Sequence, residues 1–210
     1  MIIKRMNDFG LYIIITDPVL PYTKVAEICV ENEICMLQLR EKHISDRELL
    51  QTAKKIRKIT AGTKTSLVIN DRPDIAILCN ADFLHLGQDD IEYDEAKKIT
   101  GKNIKTGLST HSVQQAKDAL EKNPDYIGFG PVYKTPTKAK PDPVVGTERL
   151  RQVLQFSNVP VVAIGGIFPE NIDDVLKAGA KNICMVRYFM ETKETEKRIK
   201  EIKSIISNYK

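Results

Sequence analysis

Short apolar runs rich in β-branched residues recur along the chain, and a segment with helical spacing follows each one. They predict strands over Leu11–Ile15, Met36–Leu39, Ser66–Ile69, Phe83–Leu86, Ile104–Leu108, Tyr126–Phe129, Val161–Ile164 and Ile183–Val186. The runs are continuous rather than alternating, as a sheet buried on both faces requires. The segments between them carry helix signals. Ser45-x-x-Glu48 is a capping box, with Leu49, Leu50, Ala53 and Ile56 lining one face behind it. Ser112-x-x-Gln115 is a second, ahead of Val113, Ala116, Ala119 and Leu120. Pro169 is expected to open a helix bearing Ile172, Val175 and Leu176, with Gly179 as its stop. A last helix carries Ile199, Ile202, Ile205 and Ile206. Strict alternation of β and α implies a parallel sheet. Eight such units predict a closed α/β architecture, a single (β/α)8 TIM barrel over residues 1–210, at the short end for that fold.

Composition narrows the class. Hydrophobic residues make up 42%, enough for a continuous core, and 32 basic against 28 acidic residues leave a net charge of only +4. So small an excess argues against a nucleic-acid surface but leaves room for a local basic pocket that takes anionic small molecules. Cys29, Cys35, Cys79 and Cys184 form no CxxC pair, and three lie in apolar runs, so reduced, buried thiols are expected. Three histidines without a Cys/His cluster do not suggest zinc. The first ten residues show no signal-peptide pattern, and no apolar run approaches the length of a membrane span. A cytoplasmic protein without membrane partners is expected, and the sequence is compatible with a homo-oligomer.

In such barrels the chemistry sits at strand C-termini and in the loops after them. The strands are followed in turn by Thr16-Asp17, Gln38-x-Arg40-x-Lys42, Asn70-Asp71, Gly87 to Asp90, Ser109 to His111, Gly130-Pro131 with Thr135 to Lys138, Gly165-Gly166, and Arg187. Gln38, Arg40 and Lys42 alternate, so at a strand end they point one way. A guanidinium fork beside a compact ammonium suits a diphosphate. A solvated strand end explains that triplet equally well. Asp71 and Asp90 top neighbouring strands and would share one Mg²⁺, although each would also serve as a cap for its own loop. Gly165-Gly166 follows an apolar strand where barrels commonly bind phosphate, and glycines let backbone N–H groups come close. The loop from Val132 to Gly146 is long and carries Lys134, Lys138 and Lys140, which reads either as a lid over anionic substrates or as an exposed basic loop. His85 and His111 rank below the charged groups as candidates.

Taken in order, Leu11 to Asp17, Gln38 to Lys42, Ile69 to Arg72, Ala81 to Asp90, Ser109 to His111, Gly128 to Tyr133, Thr135 to Lys138 and Ile164 to Ile167 resemble the thiamine phosphate synthase/TenI family over nearly the whole chain. Each motif alone is weak, and eight in order are specific. The resemblance implies an Mg²⁺-dependent transferase of thiamine biosynthesis. It would join hydroxymethylpyrimidine diphosphate to hydroxyethylthiazole phosphate, small phosphorylated substrates, with release of diphosphate. It further implies that Arg40, Lys42 and Asn70 hold the diphosphate with Lys138 closing over it, and that Asp71 and Asp90 bind Mg²⁺. Gln38 and His85 would lie near the pyrimidine and Ser109 near the reacting centre. Thr135, Thr137, Gly166 and the backbone at Val186 would hold the thiazole phosphate. One departure stands out. The family usually has a small hydroxyl residue after the last strand, where this chain has Arg187, which would either strengthen phosphate binding or fill the pocket.

Two alternatives remain at this level. One is a TenI-type thiazole tautomerase, for which a histidine at the place of His111 would be the acid/base group. The other is a non-catalytic regulator that binds thiazole or thiamine phosphates. Retention of Arg40, Lys42, Asp71, Asp90 and Lys138 favours the synthase.

Overall fold

A computed structural model describes residues 8–135 and 142–209. Eight parallel strands close into a barrel in sequence order. They are β1 (Leu11–Ile15), β2 (Met36–Leu39), β3 (Ser66–Asn70), β4 (Phe83–Leu86), β5 (Lys105–Thr110), β6 (Tyr126–Phe129), β7 (Val161–Ile164) and β8 (Asn182–Met185). Closure comes from β1 pairing with β8, Tyr12 opposite Cys184. The helices of the outer layer are α1 (Tyr22–Glu31), α2 (Asp46–Thr60), α3 (Pro73–Leu78), α4 (Tyr93–Thr100), α5 (Val113–Glu121), α6 (Gly146–Phe156), α7 (Ile172–Lys177), α8 (Arg187–Met190) and α9 (Thr195–Ser207).

Side chains alternate across each strand, and the barrel turns that alternation into two cores. Leu11, Ile13 and Ile15 face the helices, as do Leu37, Leu67 and Ile69. Tyr12, Ile14, Met36, Val68, Phe83, Tyr126, Val162 and Cys184 fill the interior. Both faces are dry, which is why the strands read as unbroken apolar runs. Each fully buried Ile or Leu contributes about 1.5–3 kcal/mol.

The bottom of the barrel is stitched by polar side chains at the starts of alternate strands. Asp82 Oδ2 accepts the N–H of Leu67 at 2.8 Å, and Asp125 Oδ2 that of Thr106 at 2.8 Å. Asn182 Oδ1 accepts that of Phe9 at 2.7 Å. These groups satisfy strand-entry donors far from the mouth, so their role is structural.

Helix starts follow the sequence signals with two differences. Ser45 and Glu48 form the reciprocal capping box of α2. Ser112 caps Gln115 N, but the Gln115 side chain reaches one residue further back, and its Oε1 accepts from His111 N at 2.7 Å. The second box is thus half a box, and its other half fixes a residue of the mouth. Pro169 lies in the turn before α7, which starts at Ile172 because Asn171 Oδ1 takes the N–H of Phe168 and closes that turn first. Gly179 does end the helix, at φ +99°. No helix among the described residues is long and apolar enough to cross a membrane. Cys29, Cys79 and Cys184 are buried and Cys35 is half-buried, all as free thiols.

Candidate active site

Two strands run further than their apolar residues indicate. Asn70 pairs with His85, extending β3, and Ser109 and Thr110 pair with Gly128 and Phe129, extending β5. Asn70 and Ser109 are therefore held by ladders rather than by loops. Val186, by contrast, has left β8 and caps α8.

A cleft of about 110 Å³, partly open to solvent, occupies the C-terminal mouth. Arg40, Ser109, Thr135, Gly166, Val186 and Arg187 line it, all of them expected site residues, and so does His111. The apolar floor includes Ile14, Ile164 and Cys184. Thr137 and Lys138 lie outside the described residues.

The β7 end is shaped by close backbone approach. A Cβ on Gly165 would lie 2.5 Å from Pro131 Cβ, and one on Gly166 would lie 2.7 Å from the carbonyl oxygens of Tyr133 and Lys134. Both glycines have positive φ, +96° and +65°. Val132 N–H donates to Ile164 O and Tyr133 N–H to Gly165 O, each at 2.9 Å, so the loop after β6 lies directly on the loop after β7. Only glycine fits there.

Gln38, His85 and Ser109 belong to one hydrogen-bonded chain through the barrel interior. Gln38 Nε2 donates to the Tyr12 hydroxyl at 2.7 Å, and the Tyr12 and Tyr126 hydroxyls are 2.9 Å apart. Tyr126 meets His85 Nδ1 at 2.9 Å, and His85 Nε2 meets Ser109 Oγ at 2.9 Å. Both tyrosines are buried, so each of their hydrogens needs an acceptor. Satisfying them all gives one direction: Tyr12 donates to Tyr126, Tyr126 to Nδ1, and His85 Nε2–H to Ser109. Ser109 then keeps its own hydrogen for the cleft. Burial holds both phenols above their ordinary pKa, so they stay neutral donors. Gln38 Oε1 is buried with no hydrogen-bond partner among the described residues. Tyr126 fits because β5 has Gly107 opposite it, where a Cβ would lie 2.1 Å from the ring.

Lys42, Asp71 and Asp90 do not line the cleft. They cluster at the tops of β2 to β4. Lys42 Nζ lies 2.9 Å from Asp71 Oδ2, and Asp90 Oδ2 accepts the N–H of Gly87 at 2.6 Å. Burial first, then hydrogen-bond contact with Asp71, raises the Asp90 carboxyl above its ordinary pKa. Asp71 is not a helix cap. Arg72 holds that position for α3, and Asp71 itself sits at φ +61°. Such strained conformations concentrate at functional sites. Mg²⁺ is typically held by one or two carboxylates, with waters and phosphate oxygens completing an octahedron. Asp71 and Asp90 suit that donor set. Among the described residues no group of three or more His, Cys, Asp or Glu offers a metal an all-protein cage.

The tyrosines and Asp142 are site residues that the sequence reading missed. A tyrosine within an aliphatic strand, as at Tyr12, and Gly107 in β5 were the available signals. His111 Nδ1 donates to Gly130 O at 2.6 Å, and its Nε2 lies 3.5 Å from Asp142 Oδ2 at the cleft.

Known proteins extend the picture. The family described as Thiamine monophosphate synthase matches residues 11–189. A thiamine-phosphate synthase of Caldicellulosiruptor saccharolyticus is 38% identical over 186 residues, 89% of this chain and 84% of that one. One from Dictyoglomus thermophilum is 41% identical over 175 residues, 83% and 78% of the two chains. Among solved structures, a thiamine phosphate pyrophosphorylase from Pyrococcus furiosus superposes with a TM-score of 0.87 at 31% identity, covering 97% of this chain and 98% of that one.

Proposed function

The chain belongs to the thiamine monophosphate synthase family, and from that premise we propose that it joins hydroxymethylpyrimidine diphosphate to hydroxyethylthiazole phosphate, giving thiamine phosphate and diphosphate. The observation that carries this reading is the pairing, on one barrel mouth, of a carboxylate pair beside Lys42 with a glycine cradle across the cleft. Two phosphorylated substrates need two anion sites of different kinds.

Asp71 and Asp90 would hold Mg²⁺, which when bound supplies positive charge to the departing diphosphate. Arg40, Lys42 and Asn70 add charge and hydrogen bonds on that side, and Lys138 follows from the loop after β6. Gln38 Oε1, an acceptor without a partner among the described residues, fits a ring amino donor of the pyrimidine. His85 is oriented by Tyr126 and in turn orients Ser109, whose hydroxyl hydrogen points to the reacting centre. Thr135, Thr137, Gly166, the Val186 backbone and Arg187 receive the thiazole phosphate. The aminopyrimidine stabilises a methylene cation, so diphosphate leaves before the thiazole nitrogen attacks. The protein's part is to stabilise leaving charge and align two rings. That chemistry calls for no strong general base.

The test is direct. Purified protein is incubated with both substrates and Mg²⁺, and thiamine phosphate is read as fluorescent thiochrome. Product that vanishes with EDTA supports the synthase. Folded protein without product overturns it and points to His111, poised on the cleft, as the acid/base group of a thiazole tautomerase.

A further inference from the structure

Two arginines line the cleft, on either side of β1: Arg40 just past the end of β2, and Arg187 at the start of α8. They are in different states. Arg40 forms no ion pair among the described residues, whereas Arg187 is gripped by Glu191 one turn on. Arg187 Nε donates to Oε1 at 2.7 Å and a terminal nitrogen to Oε2 at 3.2 Å. The guanidinium fork is thus filled by a carboxylate in the geometry it would offer a phosphate. We propose that Arg187 and Glu191 form an anion-exchange pair: Arg187 leaves Glu191 for the phosphate of the second substrate, and Glu191 acts as the competing anion that makes the site select for the phosphate ester.

Three observations support exchange over a fixed brace. Both side chains are substantially exposed, 39% and 57%, and such pairs are weak and easily traded. Arg187 borders the same stretch of wall as Gly165, Gly166 and Val186, where the proposed function seats the thiazole phosphate. Glu191 also has a second cation in reserve. Its carboxyl is held below the ordinary range by Arg187 first and also by Arg198. Arg198 is anchored independently, donating to Tyr188 O at 2.6 Å and stacked 4.6 Å over the Tyr188 ring. Glu191 released from Arg187 is therefore not left facing bare solvent. A neutral alcohol cannot displace a carboxylate from the fork, but a phosphate dianion can.

This inference rests on the proposed thiazole phosphate site, and its test separates the two. Calorimetry measures binding of hydroxyethylthiazole phosphate and of the unphosphorylated alcohol to wild type, Arg187→Gln, Arg187→Lys and Glu191→Gln. Arg187→Gln should weaken the phosphate ester about tenfold, with Arg187→Lys in between, and leave the alcohol unchanged. Glu191→Gln should tighten the ester several-fold. Opposite signs are the signature of exchange. Weakening by both Arg187→Gln and Glu191→Gln, or no change in either, would overturn it, because a pair that merely braces α8 loses stability from either end alike. Should wild type bind the ester with these shifts yet form no thiamine phosphate, the exchange stands and the synthase reading fails. Product formation with no shift in either variant gives the reverse.

Discussion

Around the tops of β2 to β4, ionisable side chains stand against one another: Lys42 on Asp71, and Asp71 on a half-buried Asp90. Around β6 to β8, glycine backbone shapes the wall, with Gly130, Gly165 and Gly166 at spacings that admit no Cβ, and the charged side chains that line the cleft there among the described residues are Asp142 and Arg187. The first arrangement concentrates charge that a metal and a leaving diphosphate would balance. The second offers closely packed main chain that cannot swing away. One rim is suited to charge that changes during the reaction, and the other to a group that is only held.

The strongest way to break this contrast is at the carboxylates. Asp71→Asn or Asp90→Asn should lower turnover by roughly 100-fold or more while leaving thiazole phosphate binding near wild type. Steady-state kinetics with calorimetry would check this, and wild-type rates in both variants would refute the metal assignment. Tyr126→Phe probes the relay beneath both rims. It removes the buried hydroxyl that meets both His85 Nδ1 and the Tyr12 hydroxyl, at a cost of about 1–3 kcal/mol in urea-measured stability. Activity should fall as well, because His85 loses the contact that sets its tautomer. Gly166→Ala acts on the other rim. Its Cβ meets two carbonyl oxygens, and the expected result is about a tenfold rise in the Michaelis constant for thiazole phosphate, equivalent to about 1.4 kcal/mol. The constant for the pyrimidine diphosphate should hold. Smallest is Ser45→Ala, which removes the α2 cap and should cost about 1 kcal/mol in thermal or urea unfolding with kinetics unchanged.

The fold was legible because both barrel faces are dry. Six of the predicted strands, such as Leu11–Ile15 and Tyr126–Phe129, begin where the ladder does because apolar composition and pairing coincide there. The strand ends were harder to read where polar residues stay in the ladder. Asn70 and Ser109 pair with neighbouring strands through their backbones, whatever their side chains. The rim residues Arg40, Gly166 and Arg187 were legible as charges or glycines after strands, and they do share a cleft. The relay was not. Tyr12 and Tyr126 are 114 residues apart and read singly as apolar strand residues, and only closure of β1 against β8 and the gap at Gly107 bring their hydroxyls together. The pairing of Arg187 with Glu191 was visible as an i,i+4 spacing, but whether its helix borders the cleft is a property of the barrel.

The most direct test of the two-rim account is the metal dependence of anion binding. Inorganic diphosphate is titrated into wild type and Asp90→Asn with Mg²⁺ or EDTA, and thiazole phosphate is titrated in parallel. Diphosphate binding that needs both Mg²⁺ and Asp90, beside thiazole phosphate binding indifferent to either, is the expected result. Diphosphate binding that survives EDTA undiminished would contradict the account.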